Sequence, residues 1–421
     1  MSNDLTAVGI HVFAGGFTRG VLDAGWKVPV QLEKHGFGLE TTESMNGVPT
    51  INDANWPRVE GRVAFGNPRC TAFSTITSGD RYVEGNTHGA WAKQTCDIHE
   101  LCQYSAGHYD FVIWESVQQA YKASGREMVD FLIKEHFADK RYRVAHLFIN
   151  AATFGNCQQR KRYFFVAYRD CYKFNVEPPP LPQGPYYPVL WDVIKESRNI
   201  EGRESRLRAG EYDEDCYTNL TEDEWAVVSK LPNGWSLQQM AQYDYDSLTP
   251  KFKRVWDERM SDLPFSLHGI VRLNWLRPCP TLHSSAGRFL HPRLHRPLTV
   301  GELSKIMGWP RIPVGDRPVA QIAKGIVPAI GEWLTRQVEL SINDHWGNDD
   351  WESSYDDSDH EWKGRDTTGQ LEKTIDMTRY AGKLFDEGRY DDEALSGNRL
   401  DVAIAARRLT AQRKAAKLAE R

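Results

Sequence analysis

Residues 12–26 read VFAGGFTRGVLDAGW, in which an apolar segment runs into Gly15 and Gly16 and then into a helical pattern. Paired glycines let a backbone approach a ligand closely, and the start of the following helix offers free N–H groups. A second apolar run over residues 28–32 ends at Glu33, and an acidic residue in this place typically binds ribose hydroxyls. We therefore expect a unit that binds a nucleotide-like cofactor; the alternative is an ordinary turn between a strand and a helix.

Short apolar strands alternate with helical patterns from residue 6 to about residue 170. This alternation is typical of a parallel sheet with helices on both faces. Three consecutive prolines at residues 178–180 then mark a boundary, and residues from about 175 to 270 have weaker periodicity and more Tyr, Trp and charge. We therefore predict an α/β fold with a Rossmann-like, doubly wound, mostly parallel sheet and a smaller inserted region.

Cys70 lies in the segment GNPRCTAFS, residues 66–74, directly after an apolar-leaning run at residues 62–65 that predicts a short buried strand. A thiol on a Gly/Pro-shaped loop at the end of a strand is held rigidly and is at least partly reachable, as a nucleophile must be. Arg69 beside it is expected to favour the reactive thiolate. The alternative is a small buried hydrophobic side chain, which is what most free cysteines are.

Two further segments carry polar side chains suited to chemistry on a ring. Glu115 lies in the buried strand predicted at residues 111–117, where a carboxyl group with a raised pKa can donate a proton; alternatively, it caps the next helix. Arg160 and Arg162 lead from a polar turn into a hydrophobic strand. Because residues two apart on an extended segment point the same way, the pair suits a phosphate or a pyrimidine carbonyl; the alternative is a solvated basic edge.

Taken in order, these segments resemble the DNA (cytosine-5) methyltransferase family. The family pattern runs Phe-x-Gly-x-Gly-Gly, then Pro-Cys-x-x-Phe-Ser, then Glu-Asn-Val, then Asn-Ala-x-x-Tyr-Gly-x-Pro-Gln-x-Arg-x-Arg. Residues 277–310 are similar to its ninth motif and residues 321–328 to its tenth, so the resemblance covers about residues 6–340. It implies the fold of S-adenosylmethionine-dependent methyltransferases, with a target-recognition region between the eighth and ninth motifs.

The resemblance and the composition together divide the chain. We expect a catalytic cofactor-binding domain at 1–174, a target-recognition region at 175–270, a return to the catalytic domain at 271–340, an acidic linker at 341–367 and a helical tail at 368–421. The tail ends in a basic helix. We interpret it as a solvated helical tail in preference to an accessory helix that contacts DNA or a partner.

The resemblance implies a DNA cytosine carbon-5 alkyltransferase that acts on double-stranded DNA. Cys70 would add to carbon 6 of a flipped-out cytosine, and Glu115 would stabilise the adduct with a proton at ring nitrogen 3. Arg162, with Arg160, would hold the carbonyl at carbon 2 and a nearby phosphate. The alternatives are a cytosine-5 methyltransferase acting on tRNA and a non-catalytic DNA-binding homologue.

The family motifs also imply which residues hold the cofactor and the DNA. The residues expected to bind S-adenosylmethionine are Phe13, Ala14, Gly15, Gly16, Glu33, Asp53, Pro68 and Lys324. Those expected to bind the DNA substrate are Arg69, Ser74 and Gln158. No metal is expected.

Lys324 departs from the family, which usually has asparagine at this position of the tenth motif. A buried ammonium at ~4–6 Å from the cofactor's sulfonium is a like-charge clash, whereas a donor with a carboxylate on its transferable carbon would form an ion pair there. Carboxy-S-adenosylmethionine is such a donor, and its product would be 5-carboxymethylcytosine. The alternative is that Lys324 extends to solvent or pairs with a nearby acid.

The bulk composition is that of an ordinary globular protein with a net charge of −5. This charge argues against a surface that grips DNA indiscriminately, although a local basic cleft is compatible with it. Seven cysteines without a Cys-x-x-Cys pair argue for a reducing compartment and against a zinc site. The sequence has no long apolar run and no N-terminal signal region, so we expect a cytoplasmic monomer without a membrane partner.

Overall fold

The computed structural model describes residues 5–70, 73, 90–121, 124–177, 188–197, 200, 212–259, 270–284, 286–344 and 372–376. At 90–96, 124, 259 and 372–376 it describes the backbone alone. Of the predicted site residues, Ser74 lies outside this part of the chain.

Ten strands occur among the described residues. They are β1 (Ala7–Ile10), β2 (Gln31–Glu33), β3 (Thr50–Asn52), β4 (Val63–Gly66), β5 (Phe111–Ser116), β6 (Tyr142–Asn150), β7 (Lys161–Arg169), β8 (Val271–Arg272), β9 (Phe289–Leu290) and β10 (Glu372–Asp376). Eight of them form one sheet in the order β10-β6-β7-β5-β4-β1-β2-β3, while β8 and β9 form a small separate sheet. In the large sheet only β7 runs antiparallel to its neighbours, which confirms the predicted mostly parallel sheet.

Eleven α-helices occur among the described residues. They are α1 (Gly16–Asp23), α2 (Leu39–Asn46), α3 (Ala90–Ser105), α4 (Ser124–Leu132), α5 (Leu190–Ile194), α6 (Glu222–Val228), α7 (Leu237–Tyr243), α8 (Pro250–Arg259), α9 (Val300–Met307), α10 (Pro318–Lys324) and α11 (Pro328–Asn343). Alternate residues of β4 face two cores: Val63 and Phe65 pack with α1 and α11, and Ala64 packs with α3 and α4. The fold is therefore doubly wound, as predicted.

The prediction of a helical tail over 368–421 is wrong at Glu372–Asp376. These residues form β10, which pairs in parallel with β6 in the register Glu372↔Val144 to Asp376↔Phe148. The segment contains the β-branched residues Thr374 and Ile375, which favour strands, and β6 would otherwise present an open edge. The rest of the predicted tail lies outside the described residues.

Residues 212–259 contribute α6, α7 and α8, which pack around a third apolar core with Ile270 and Leu290. Buried Arg272 joins this core to the following segment, because its guanidinium donates to the carbonyl oxygens of Val228, Leu231 and His291. The division at 175 and 270 into a recognition region stays a prediction. No described helix is both long enough and apolar enough to cross a membrane.

Candidate active site

The carboxyl ends of β1, β4 and β5 meet at one edge of the sheet, where parallel sheets commonly bind ligands. Because β7 runs the other way, its first residues reach the same edge: Glu115 on β5 pairs with Phe164, and Ser116 pairs with Tyr163. The antiparallel strand therefore brings Arg162 beside Glu115. The sheet order unites three segments that are far apart in the sequence.

Glu115 is a buried acid at this edge. Its side chain is 2% exposed, its Oε2 accepts a hydrogen bond from Asn67 Nδ2 at 2.5 Å, and its Oε1 lies 2.8 Å from Arg162 Nε. Burial raises the pKa of Glu115 and outweighs the lowering by Arg162, Arg160 and Asn67. A carboxyl group with a raised pKa can carry the proton that the predicted role requires. Asn67 was missed from the sequence, although it lies only three residues from Cys70.

Cys70 is half-buried at the end of the β4 loop, and its carbonyl accepts a hydrogen bond from Phe73 N at 3.0 Å. Burial raises the pKa of its thiol, Glu115 adds to the rise, and Arg162, Arg160 and Lys324 oppose it. The structure therefore brings Glu115, Arg162, Arg160 and Lys324 within electrostatic reach of Cys70. A raised pKa means that the thiol is protonated at neutral pH and must lose its proton when it attacks.

Arg69 is paired within the chain, because its guanidinium is bound to the buried carboxylate of Asp97. Its expected effect on the thiol stays a prediction. Arg69 Nε lies 2.6 Å from Asp97 Oδ2, and Nη2 lies 2.8 Å from Oδ1. These two donors would have to leave Asp97 in order to bind DNA, and the contact of Arg69 with the DNA substrate stays a prediction.

Arg160 and Gln158 are interior residues, and their expected contact with the substrate stays a prediction. The guanidinium of Arg160 is buried and donates to the carbonyl oxygens of Leu282, Ala323 and Gly325 at 3.1, 2.9 and 2.7 Å. Gln158 is fully buried and accepts a hydrogen bond from Leu282 N at 3.0 Å. Both residues tie the entry of β7 to the later part of the catalytic domain.

The glycine pair is also explained by contacts within the chain. Gly15 has φ +79°, and a Cβ there would lie 2.0 Å from Thr42 Oγ1; at Gly16 it would lie 2.2 Å from the Ile326 carbonyl oxygen. The turn needs both glycines because α2 and the tenth-motif segment press against it. We expected these glycines to let a ligand come close. At the two Cβ positions, the close neighbour is instead another part of the chain.

The other predicted cofactor residues of the central sheet follow the carboxyl ends of β1, β2, β3 and β4. The buried carboxylate of Glu33 accepts hydrogen bonds from His11 Nδ1 and Lys34 N at 2.9 and 3.0 Å. Asp53 is exposed at the end of β3, and its N–H donates to the Glu33 carbonyl. Ala14 and Pro68 are buried, and Phe13 packs on Phe37 with ring centroids 5.1 Å apart. Binding of the cofactor by these residues stays a prediction.

Lys324 is exposed at the end of α10, not buried as the like-charge argument assumes. Its Nζ lies 5.3 Å from the centroid of the Phe37 ring, and the guanidinium carbon of Arg317 lies 4.6 Å from the same centroid. Partial burial lowers the pKa of Lys324, as do Arg317 and Arg69, while Cys70 raises it. Within the described part of the chain, Lys324 has no acidic partner. Arg317 and Phe37 were missed from the sequence, which carries no local signal for them.

A group of polar side chains that could be mistaken for a metal site lies next to Arg69. Ligand atoms of His11, Asp97 and Glu100 lie within 4.8 Å of one another. Each carboxylate is already paired with a positively charged side chain, because Arg69 binds Asp97 and Lys34 Nζ lies 2.8 Å from Glu100 Oε1. The charges of this group are thus compensated by the chain itself.

The family model for C-5 cytosine-specific DNA methylase matches residues 64–312. The Type II methyltransferase M.DdeI of Desulfomicrobium norvegicum is 23% identical over 338 residues, which cover 72% of this chain and 78% of that protein. A solved E. coli structure, described as a DNA modification methyltransferase encoded within a prophage, is similar in fold with a TM-score of 0.53. That match has 17% identity and covers 80% of this chain and 99% of the other. These findings confirm the resemblance drawn from the motifs: the chain belongs to the C-5 cytosine-specific DNA methylase family.

Proposed function

We propose that this chain alkylates carbon 5 of cytosine in double-stranded DNA through a transient covalent bond from Cys70. Membership of the family supports DNA cytosine methylation. The observation that carries the assignment of residues is the meeting of Cys70, Glu115 and Arg162 at one edge of the sheet. A thiol, a protonated carboxyl group and a guanidinium at one place are what addition to a pyrimidine ring requires.

In the proposed reaction Cys70 loses its proton and its sulfur bonds to carbon 6 of the cytosine. The electron pair of the 5,6 double bond moves to carbon 5, while Glu115 gives a proton or a strong hydrogen bond to ring nitrogen 3. Carbon 5 then takes the alkyl group as the bond between that group and the donor's sulfur breaks. Carbon 5 next loses its proton to water, and the Cys70 thiolate leaves carbon 6, so that the 5,6 double bond forms again. Arg162, whose Nε lies 2.8 Å from Glu115 Oε1, would donate to the carbonyl at carbon 2. The base must leave the helical stack for these contacts to form.

The residues at the ends of β1, β2 and β3 fit S-adenosylmethionine, which supplies an electrophilic methyl group when bound. Phe13 and Phe37 offer aromatic surface to an adenine ring, and the exposed carboxylate of Asp53 can accept hydrogen bonds. Glu33 lies between them, in the place where ribose hydroxyls are usually bound. The role of these residues is to bind and orient the donor beside Cys70.

The test is nucleoside mass analysis of duplex DNA incubated with purified protein and S-adenosylmethionine. We expect 5-methylcytosine in duplex DNA and none in tRNA incubated in parallel. Modification of tRNA alone would instead support the RNA alternative. Binding of DNA without any modified nucleoside, with S-adenosylmethionine or with carboxy-S-adenosylmethionine, would support a non-catalytic homologue.

A second candidate is carboxymethyl transfer from carboxy-S-adenosylmethionine, and Lys324 is the observation that favours it. Two cations, Lys324 and Arg317, lie over the ring of Phe37, which packs on Phe13 at the cofactor turn. Neither cation has an acidic partner among the residues described in the structure. A carboxylate on the transferable carbon would neutralise this positive charge, whereas the ordinary methyl donor brings a further positive charge.

Lys324→Asn is expected to shift donor preference toward S-adenosylmethionine by about 10-fold, which corresponds to the loss of one charge-assisted contact. The measurement is the ratio of 5-carboxymethylcytosine to 5-methylcytosine in DNA incubated with both donors. Lys305→Asn, at another exposed lysine in the last turn of α9, is the matched control and should leave the ratio unchanged. Production of 5-methylcytosine alone by the unsubstituted protein would contradict carboxymethyl transfer and leave methyl transfer standing.

A further inference from the structure

We propose that Asp97 is a positioning residue that, through Arg69, fixes the segment carrying Cys70. This inference rests on the proposed function, because it treats Cys70 as the nucleophile. Asp97 belongs to none of the motifs identified in the sequence, and it lies 28 positions after Arg69.

The guanidinium of Arg69 binds the carboxylate of Asp97 in a bidentate manner. Arg69 Nε and Nη2 lie 2.6 and 2.8 Å from the two different oxygens of Asp97. The Asp97 side chain is 2% exposed, whereas that of Arg69 is 45% exposed. Such a bidentate pair restrains orientation as well as distance. Because the carboxylate is buried, the position of the guanidinium is set by the protein interior.

The pair connects both ends of the chain segment that contains the nucleophile. Arg69 immediately precedes Cys70, and Asp97 lies in α3, the helix that ends this segment. The same helix packs its buried residues Ile98, Leu101 and Cys102 in the core beneath the sheet. The ion pair therefore anchors the backbone next to the thiol to a rigid helix.

Asp97 is also in contact with the turn that follows β2. His35 Nε2 lies 3.2 Å from Asp97 Oδ1, and the backbone N–H groups of Lys34 and His35 point to Glu33 Oε1. Burial would raise the pKa of Asp97, but hydrogen bonds from Arg69 and His35, together with His11, hold it well below its usual range. Asp97 is thus an anion at neutral pH, and it joins the segment of the nucleophile to the turn expected to bind the donor.

The alternative role of Arg69 is a direct contact with DNA. Substitution of Arg69 by lysine distinguishes this role from positioning through Asp97. Arg69→Lys keeps the positive charge but loses the fork of donors. A DNA phosphate would still be neutralised by lysine, whereas the orientation imposed through Asp97 would be lost. Asp97→Asn frees the guanidinium, which should not weaken a contact with DNA.

The experiment measures the rate of covalent adduct formation on duplex DNA containing 5-fluorocytosine. Asp97→Asn, Arg69→Lys and the double variant are compared with Asp170→Asn, which removes the charge of the Arg141–Asp170 pair at the opposite edge of the sheet. We expect each single variant to lower the rate by about 10- to 100-fold, as small displacements of a reacting group do. The double variant should be no slower than the singles, because both remove one interaction. The control should match the unsubstituted protein.

A second readout does not depend on the chemistry. Hydrogen exchange of the peptide covering residues 66–73 should be faster in Asp97→Asn and Arg69→Lys than in the control. Equal exchange in all variants, or rate losses that multiply in the double variant, would overturn the positioning role. An inactive unsubstituted protein would refute the proposed function, and hydrogen exchange would still decide the anchoring by Asp97.

Discussion

Cys70→Ser is expected to lower alkyl transfer to cytosine by at least about 10³-fold, because removal of a nucleophile abolishes the covalent route. A serine hydroxyl has a far higher pKa than a thiol, and this site already raises the pKa of the resident thiol through burial and Glu115. The alkoxide would therefore be almost unpopulated. The measurement is the amount of modified cytosine formed per enzyme per minute.

The matched control for this substitution is Cys171→Ser. Cys171 is also a half-buried free cysteine, but it follows β7 at the opposite edge of the sheet. It should retain full activity. Donor binding by Cys70→Ser should be unchanged, since the lost group acts on the base. Unreduced transfer by Cys70→Ser would show that the sulfur takes no part in the reaction.

Glu115→Gln is expected to lower the rate by about 10²- to 10⁴-fold, the usual contribution of a positioned acid. Glutamine keeps the shape of the side chain but cannot transfer a proton to ring nitrogen 3. The change also leaves Arg162 without its carboxylate partner, so part of the loss reflects the orientation of that arginine. Thermal unfolding of the variant measures how far the buried pair stabilises the fold.

The direction in which the reaction rate changes with pH follows from the pKa of Glu115. Because burial raises the pKa of Glu115, the protonated form persists to higher pH than for an ordinary glutamate. The rate should fall as the pH rises through this pKa, and Glu115→Gln should remove that limb of the profile. The assignment of Glu115 as the acid would be contradicted if Glu115→Gln had an unchanged rate and if that rate still fell at high pH as it does in the unsubstituted protein.

The doubly wound, mostly parallel sheet and the edge that carries the site were predictable from the sequence. Apolar strands that each end in a chemically useful residue, such as Glu33 and Glu115, indicate a sheet whose carboxyl ends form one site. The antiparallel β7 was not predicted from periodicity, yet it is what lets Arg162 reach Glu115. The family motifs implied that Arg162 and Glu115 act at one site, but they did not reveal the antiparallel strand that brings the two residues together.

The errors have identifiable physical reasons. The rule that residues two apart point the same way applies inside a strand, but Arg160 precedes the first residue of β7. Its guanidinium therefore turns inward to three carbonyl groups, although it stays within electrostatic reach of Arg162. Similarly, no local pattern reveals that Asp97 binds Arg69, because burial and long-range pairing decide where a charge goes.

The most direct test of the central claim is the mass of the protein after incubation with duplex DNA containing 5-fluorocytosine and a donor. The account predicts a denaturation-resistant complex of one protein with one strand, attached at Cys70 and absent in Cys70→Ser. Modification of ordinary cytosine without any such complex would contradict it.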